Sequence, residues 1–354
     1  MPAVHSLDFE TAEYKLVISP SARETDRPKP ATSTVVVEFG AVSDTGKVRA
    51  QNEDHYLVSH ISRRQEILHT NVPSSYFPES IREDGYTMVV ADGMGGMAAG
   101  DVASRLAIST GMKLFHKSPK WGFKINQKEA RELFDRVSSR LQDIDRTLTE
   151  YSFADRRLFG MGTTLTMAYS IGVDLFIIHL GDSRAYLYRN GTLRQLTKDH
   201  TVAQAMADAG YISHDEIRHH KKRNSLTNYL GGHDGKVSAD IRWLRLADGD
   251  RLILSTDGLT EMVDDAGIAR ILDAERAPTD AAQALVNKAL ENGGKDNVTV
   301  IVANYQIPSM VAKKRSSSGD LKPVAAVSDS FEAPLDMSGL AGSGNGNPST
   351  PAGS

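Results

Sequence analysis

From residue 34 to residue 305 the chain alternates short apolar runs with polar turns, and the spacing of its apolar positions changes from segment to segment. "TVVVEFGAVSD" (34–44) reads as a strand closed by the turn "SDTGKV", and "HYLVSH" (55–60) as a second strand. A polar, proline-containing insertion at 61–85 is expected to be a surface loop. "MVVADGMGG" (88–96) then runs four apolar residues into an aspartate and a glycine-rich turn. Two helices are expected after it. The clearer one places Ala130, Leu133, Phe134, Val137, Leu141, Ile144 and Leu148 at the 3–4 spacing of one buried face.

The next segments, "TTLTMAYS", "VDLFIIHL" and "RAYLYRNGTLRQLT", are β-rich and are broken by Gly172 and by the Asn190-Gly191 hairpin signal. Hairpins of this kind predict an antiparallel meander, which excludes a parallel, doubly wound sheet. Residues 199–240 are polar, with helical patterns in "TVAQAMADAG" and "SHDEIRHHKK", and read as a mobile flap. "RLILSTDGL" (251–259) then repeats the motif of an apolar strand ending in Asp-Gly. A helix at 279–292 and the strand "NVTVIVANY" complete an α+β chain.

The ends differ in character. Residues 1–33 are polar with a proline-rich close, an extended segment before the first strand. Residues 307–354 are rich in Ser, Gly, Pro and Ala and cannot bury enough apolar surface to offset their ordering entropy, so a disordered tail is expected. The domain lies between them, at 34–306.

Composition narrows the chemistry. Of 354 residues 40% are hydrophobic and 24% charged, and the formal net charge is −4, without the basic excess of a nucleic-acid binder. No stretch resembles a signal peptide or a membrane span, so a cytoplasmic protein with no membrane partner is expected. Cysteine is absent, which rules out a disulfide framework, a thiolate metal site and a cysteine nucleophile. Any metal must sit on oxygen or imidazole ligands.

Acidic residues recur where strands give way to turns: Glu53 and Asp54 in "QNED", Asp92, Asp182 in "HLGDSRAY", Asp257, and Asp296 in "GGKDNVTV". A neighbouring glycine lets the backbone approach closely and offer a carbonyl ligand. Carboxylates brought together repel one another unless a cation neutralises them. Oxygen ligands point to Mg²⁺ or Mn²⁺, and a pair of such ions roughly 3.5–4 Å apart shares a bridging hydroxide that hydrolyses phosphate esters. Taken singly, each Asp-Gly is a common turn pair, and spacing along the chain does not show convergence.

The order and wording of seven segments resemble the metal-dependent, protein-phosphatase-2C-like serine/threonine phosphatases. These are "SDTGKVRAQNED" (43–54), "VVADGMGG" (89–96), "GMGTTLTMA" (160–168), "LGDSRAYLYRNG" (180–191), "LTKDHT" (196–201), "LILSTDGLTEMV" (252–263) and "GGKDNVTVIV" (293–302). The resemblance implies a β-sandwich of two antiparallel sheets flanked by pairs of helices, with the flap at 199–240 and two metals at one end. It implies Asp92 as the ligand of both metals, Asp257 and Asp296 completing the first site, and Glu53 with the Gly93 carbonyl holding the second. Asp54 would be a ligand or orient its waters, and Asp182 with Asp257 would bind a third ion. Arg49 matches the arginine that grips the substrate phosphate, as its planar guanidinium suits. Read alone, Arg49 is also a candidate for a surface salt bridge.

Beside these, Gly162, Thr163 and Thr164 read as strand-opening residues, Asn297 as an orienter of Asp296, Asp44 as a turn residue, and Arg184 as a partner of either an acid or substrate. Two positions depart from relatives that carry a histidine proposed to protonate the leaving oxygen: Met94 and Met97 stand there, and a thioether donates no proton. A metal-bound water or one of the flap histidines, His200, His214, His219 or His220, remains to supply it. The expected activity is hydrolysis of phosphoserine and phosphothreonine in proteins phosphorylated by a Ser/Thr kinase, by a monomer. The alternatives are a catalytically silent relative and a signalling switch dedicated to one phosphoprotein.

Overall fold

The computed structural model describes residues 35–73, 76, 81–95, 99–116, 127–232, 237–307 and 335–336. Two antiparallel sheets form the centre. One runs in the order β1 (Val36–Asp44), β11 (Val298–Gln306), β10 (Arg251–Ser255), β7 (Arg184–Arg189) and β8 (Thr192–Gln195). The other runs β12 (Leu335–Asp336), β9 (Asp240–Arg245), β6 (Asp174–Leu180), β5 (Leu165–Ile171), β3 (Ile81–Met94) and β2 (Asp54–Gln65), with the short β4 (Gly162–Thr163) on the end of β3.

The continuous apolar runs in the sequence have a direct cause: the central strands are covered on both faces. Along β3, Met88 and Val90 point between the sheets towards Leu187, Leu252 and Ile301. Val89 and Ala91 point the other way, into a core with Ala103 and Ala107 of helix α1 (Ala99–His116) and Val137, Leu141, Ile144 and Leu148 of α2 (Gln127–Ala154). The first sheet does the same. Leu252 and Leu254 face inward, whereas Ile253, Val300 and Val302 meet Ile268 and Leu272 of α5 (Asp265–Ala274) and Leu285 and Val286 of α6 (Pro278–Glu291). The period-2 alternation of a strand thus feeds two cores at once, in helix–sheet–sheet–helix layers.

Asn190, with φ of 51°, and Gly191, with φ of 78°, make the tight turn joining β7 to β8. Two consecutive left-handed residues are what a two-residue hairpin of this twist requires.

Several elements differ from the sequence expectation. The insertion is not all loop: β2 and β3 pair continuously from Asp54↔Asp92 to Gln65↔Ile81, so 61–65 and 81–85 extend one hairpin arm. Its polar residues lack the apolar alternation that marks a half-buried strand. Strand β9 and helix α5 carry no strong signal either; β9 alternates charges with Ile241 and Trp243, and α5 is only 10 residues long. Within the flap, α3 (Val202–Asp208) is helical as expected, but the second pattern forms a 3-10 turn, His214–His219. Residues 1–33 lie outside the described residues, as does the expected tail apart from Ile307 and β12. Among the described residues no helix is long and apolar enough to cross a membrane.

Candidate active site

The acids singled out in the sequence meet at one end of the sandwich because their strands all begin or end there. Asp54 opens β2 directly opposite Asp92 on β3, Asp257 follows β10, Asp296 precedes β11, and Asp182 lies in the turn from β6 to β7. Together they border a cleft of about 390 Å³ lined by Arg49, Glu53, Asp92, Gly93, Asp182, Asp257 and Asp296. Asp54 stands behind this lining, 4% exposed.

Backbone contacts fix the position of each acid. The Asp92 carbonyl accepts from the Thr163 hydroxyl at 2.9 Å and the Thr164 amide at 2.9 Å, while the Asp92 amide donates to Thr164 Oγ1 at 3.0 Å. Thr164 Oγ1 also lies 2.9 Å from Ser183 Oγ, which ties the Asp92 strand to the Asp182 turn. The Gly-Thr-Thr segment therefore opens a strand, as expected, and also clamps Asp92. At Gly93 any side chain is excluded, since a Cβ would lie 2.1 Å from the Gly100 carbonyl oxygen in the first turn of α1. Gly258 is excluded likewise: a Cβ would come within 1.9 Å of the Asn297 carbonyl oxygen.

Asn297 orients Asp296, as expected, but through its backbone, and its side chain fixes Glu53 as well. Its side-chain oxygen accepts from the Glu53 amide at 2.8 Å and its nitrogen donates to the carbonyls of Thr45 and Gln51, while only its backbone amide reaches Asp296, at 2.9 Å. The Glu53 carbonyl is held further by the Ser104 hydroxyl at 2.6 Å and the Gly93 amide at 3.2 Å. Asp44 is a turn residue, accepting from the Gly46 amide. Arg184 pairs with an acid: it grips Asp199 with two bonds of 2.9 and 2.7 Å.

Burial and mutual repulsion raise the buried acids of the cleft. Burial pushes the Asp54 carboxyl up to about 7, although Oδ2 accepts from the hydroxyls of Thr256 and Thr299, each at 2.8 Å. Burial and then the neighbouring Asp199 raise Asp182 to about 7 as well. Asp92 is raised well above the carboxylate range by burial and then by Asp54, Asp257, Asp182 and Asp296; Asp257 is raised by burial and then by Asp182 and Asp296. Glu53 rises through burial, against the opposing pull of Arg49. Such concentration of like charge stands only if protons or cations neutralise it.

Orphaned atoms indicate what the cleft fits. Asp54 Oδ1 and Asp257 Oδ1 are buried without a hydrogen-bond partner, and buried polar atoms seldom go unpaired without reason. An all-oxygen donor set with two free, buried carboxylate oxygens suits hard divalent cations. Among the described residues no three acids or histidines already form a closed cluster. A positive group does occupy one acid: Arg49 Nη2 lies 2.6 Å from Asp296 Oδ2.

Among the described residues, none of the flap histidines lines this cleft. His200 has both ring nitrogens engaged, Nδ1 with the Gly181 amide at 3.2 Å and Nε2 with Asp240 at 3.3 Å, and staples the flap to the sandwich. His214 and His219 border a neighbouring groove, and His220 Nδ1 accepts from the Lys222 amide. Met94 does line the cleft, whereas Met97 lies outside the described residues. Sequence reasoning missed Asn224, Leu226 and Tyr229, which the flap contributes to the lining. Their stretch, "NSLTNYL", carries no charge or glycine signal. It reaches the cleft because Leu230 and Thr163 bridge through two backbone bonds of 2.9 Å and the Gly231 amide donates to Asp145.

A sequence profile described as Protein phosphatase 2C matches residues 77–292. The chain is 33% identical over 265 residues to the serine/threonine phosphatase stp of Listeria innocua, spanning 75% of this chain and 94% of that one. It superimposes with a TM-score of 0.61 and 32% identity on the crystal structure of the Mycobacterium tuberculosis serine/threonine phosphatase PstP/Ppp, covering 76% of this chain and 99% of that one. A catalytic domain of serine threonine protein phosphatase PstP in complex with 2 manganese ions matches with a TM-score of 0.60 and 32% identity, over 77% of this chain and 100% of that one.

Proposed function

This chain belongs to the protein phosphatase 2C family and is a serine/threonine phosphatase; we propose that it hydrolyses phosphoserine and phosphothreonine in proteins by water activated between two divalent cations, Mn²⁺ or Mg²⁺. The observation that carries this reading is the gathering of buried, mutually repelling carboxylates in one cleft beside an exposed arginine.

In this reading Asp92 contributes to both cation sites, Asp257 and Asp296 complete one, and Glu53 with the Gly93 carbonyl forms the other. Asp54, fixed by Thr256 and Thr299, presents its free Oδ1 from behind, and Asp182 with Asp257 forms the place for a third, looser ion. When bound, the cations supply Lewis acidity that lowers the pKa of water and so yield a nucleophile at neutral pH. Arg49 leaves Asp296 for the substrate phosphate, where its planar guanidinium makes two bonds and holds the phosphorus in line. The described lining of the cleft contains no histidine, and in this reading water supplies the proton for the departing serine or threonine oxygen. The partners are phosphoproteins made by a Ser/Thr kinase.

Phosphate release from a phosphothreonine peptide tests this. Turnover is expected with Mn²⁺ and should vanish with chelator. Turnover that survives the chelator, or none in the presence of metal, would overturn the proposal.

A further inference from the structure

A second, larger groove of about 910 Å³ opens beside the cleft, between the 3-10 turn of the flap and the segment leading into α5. The two volumes share three lining residues, Asp182, Asn224 and Asp257. Two of these are acids already assigned to cations. Asn224 is the one neutral side chain at the junction, and it is exposed.

Its orientation is fixed. The side-chain amide of Asn224 donates to Glu261 Oε1 at 2.5 Å, and Glu261 is braced in turn by Arg223 Nη2 at 3.3 Å. With the nitrogen tied, the Asn224 carbonyl oxygen has no partner among the described residues. A phosphoresidue within a protein brings its phosphate into the cleft and must carry its main chain away from it. The groove, which shares lining with the cleft, offers an exit. Its walls bear both signs of charge: Arg184 is paired with Asp199 and Arg223 with Glu261, and Arg218 and Lys295 stand among Asp215, Asp264 and Asp265, so a single sign of charge is a poor basis for selection there. A main-chain contact suits an enzyme that accepts varied sequences.

We infer that the groove receives the substrate polypeptide in an extended form and that Asn224, positioned by Glu261, accepts a hydrogen bond from a main-chain amide next to the phosphoresidue. This rests on the phosphatase reading above. A small aryl phosphate has no such amide, which separates the two claims.

The experiment compares a heptapeptide, phosphothreonine flanked by alanines, with p-nitrophenyl phosphate, using wild type, Asn224→Ala, Glu261→Ala and the double variant in saturating Mn²⁺. For Asn224→Ala, kcat/KM on the peptide relative to the aryl phosphate is expected to fall about three- to tenfold, the worth of one hydrogen bond, with the change in KM. Glu261→Ala should give a smaller fall that disappears in the Asn224→Ala background, because Glu261 acts through Asn224. An unchanged ratio, or additive effects of the two substitutions, would overturn the inference. A wild type inert towards both substrates would instead overturn the phosphatase reading.

Discussion

Asp92→Asn is expected to lose Mn²⁺-dependent phosphatase activity by more than about a hundredfold, a drop beyond that seen for residues that merely orient a ligand. In the proposed arrangement Asp92 alone serves both cation sites, and its position is fixed by three hydrogen bonds to Thr163 and Thr164 that an asparagine keeps. The fold should survive the change. Because the folded-state pKa of Asp92 is raised, its ionised form opposes folding, and that penalty grows as pH rises above the unfolded value of 3.8. Asparagine removes the penalty. Without metal at pH 8, the variant should therefore unfold at the same temperature as wild type or higher, while Mn²⁺ should stabilise only wild type appreciably. An inactive variant that had simply lost its fold would melt lower, so activity and thermal midpoint together separate the two causes.

Gly93→Ala is the second substitution with a large expected effect. The added carbon would lie 2.1 Å from the Gly100 carbonyl oxygen and 2.7 Å from that of Glu53, both backbone atoms that no rotamer change can move. Helix α1 must then retreat from β3. Overpacking of this kind costs about 3 kcal/mol, roughly 6–12 °C in thermal midpoint for a domain of this size. Turnover should fall with it, since the Glu53 carbonyl bonds to the Gly93 amide and the Glu53 carboxylate packs against Gly100. Gly111→Ala provides the control: in the same helix its Cβ would meet only Ile144 Cδ1, at 3.6 Å, an ordinary contact. A Gly93→Ala protein as stable as wild type would refute the close approach.

The sandwich and its site were legible in the sequence to different depths. Strands such as β3 and β10 announced themselves because burial on both faces makes their apolar runs continuous, and each run leads into Asp-Gly where it meets the cleft. That six acids share one end was available only through the resemblance, since pairing such as Asp54↔Asp92 brings together residues far apart along the chain. Asn297 illustrates the limit. Sequence adjacency suggested Asp296 as its partner, which the backbone amide bears out, but not that the side chain reaches across to the Glu53 amide 244 positions away. Tyr229 and Asn224 were invisible for a related reason: the flap delivers them through backbone bridges, which no residue pattern encodes. The hairpin arm of β2 and β3 was missed because its polar residues lack the apolar alternation of a half-buried strand.

The most direct test of the proposed metal centre is a calorimetric titration of the metal-free protein with Mn²⁺ at neutral pH, repeated in buffers of different ionisation enthalpy. Carboxyls such as Asp54 and Asp182, held up to about 7, still carry protons there and must give them up to a cation. The expected result is at least two Mn²⁺ ions bound per chain with net proton release, and loss of that binding in Asp92→Asn. Binding of no ion, or binding that is the same in Asp92→Asn as in wild type, would contradict a cation centre at this cleft.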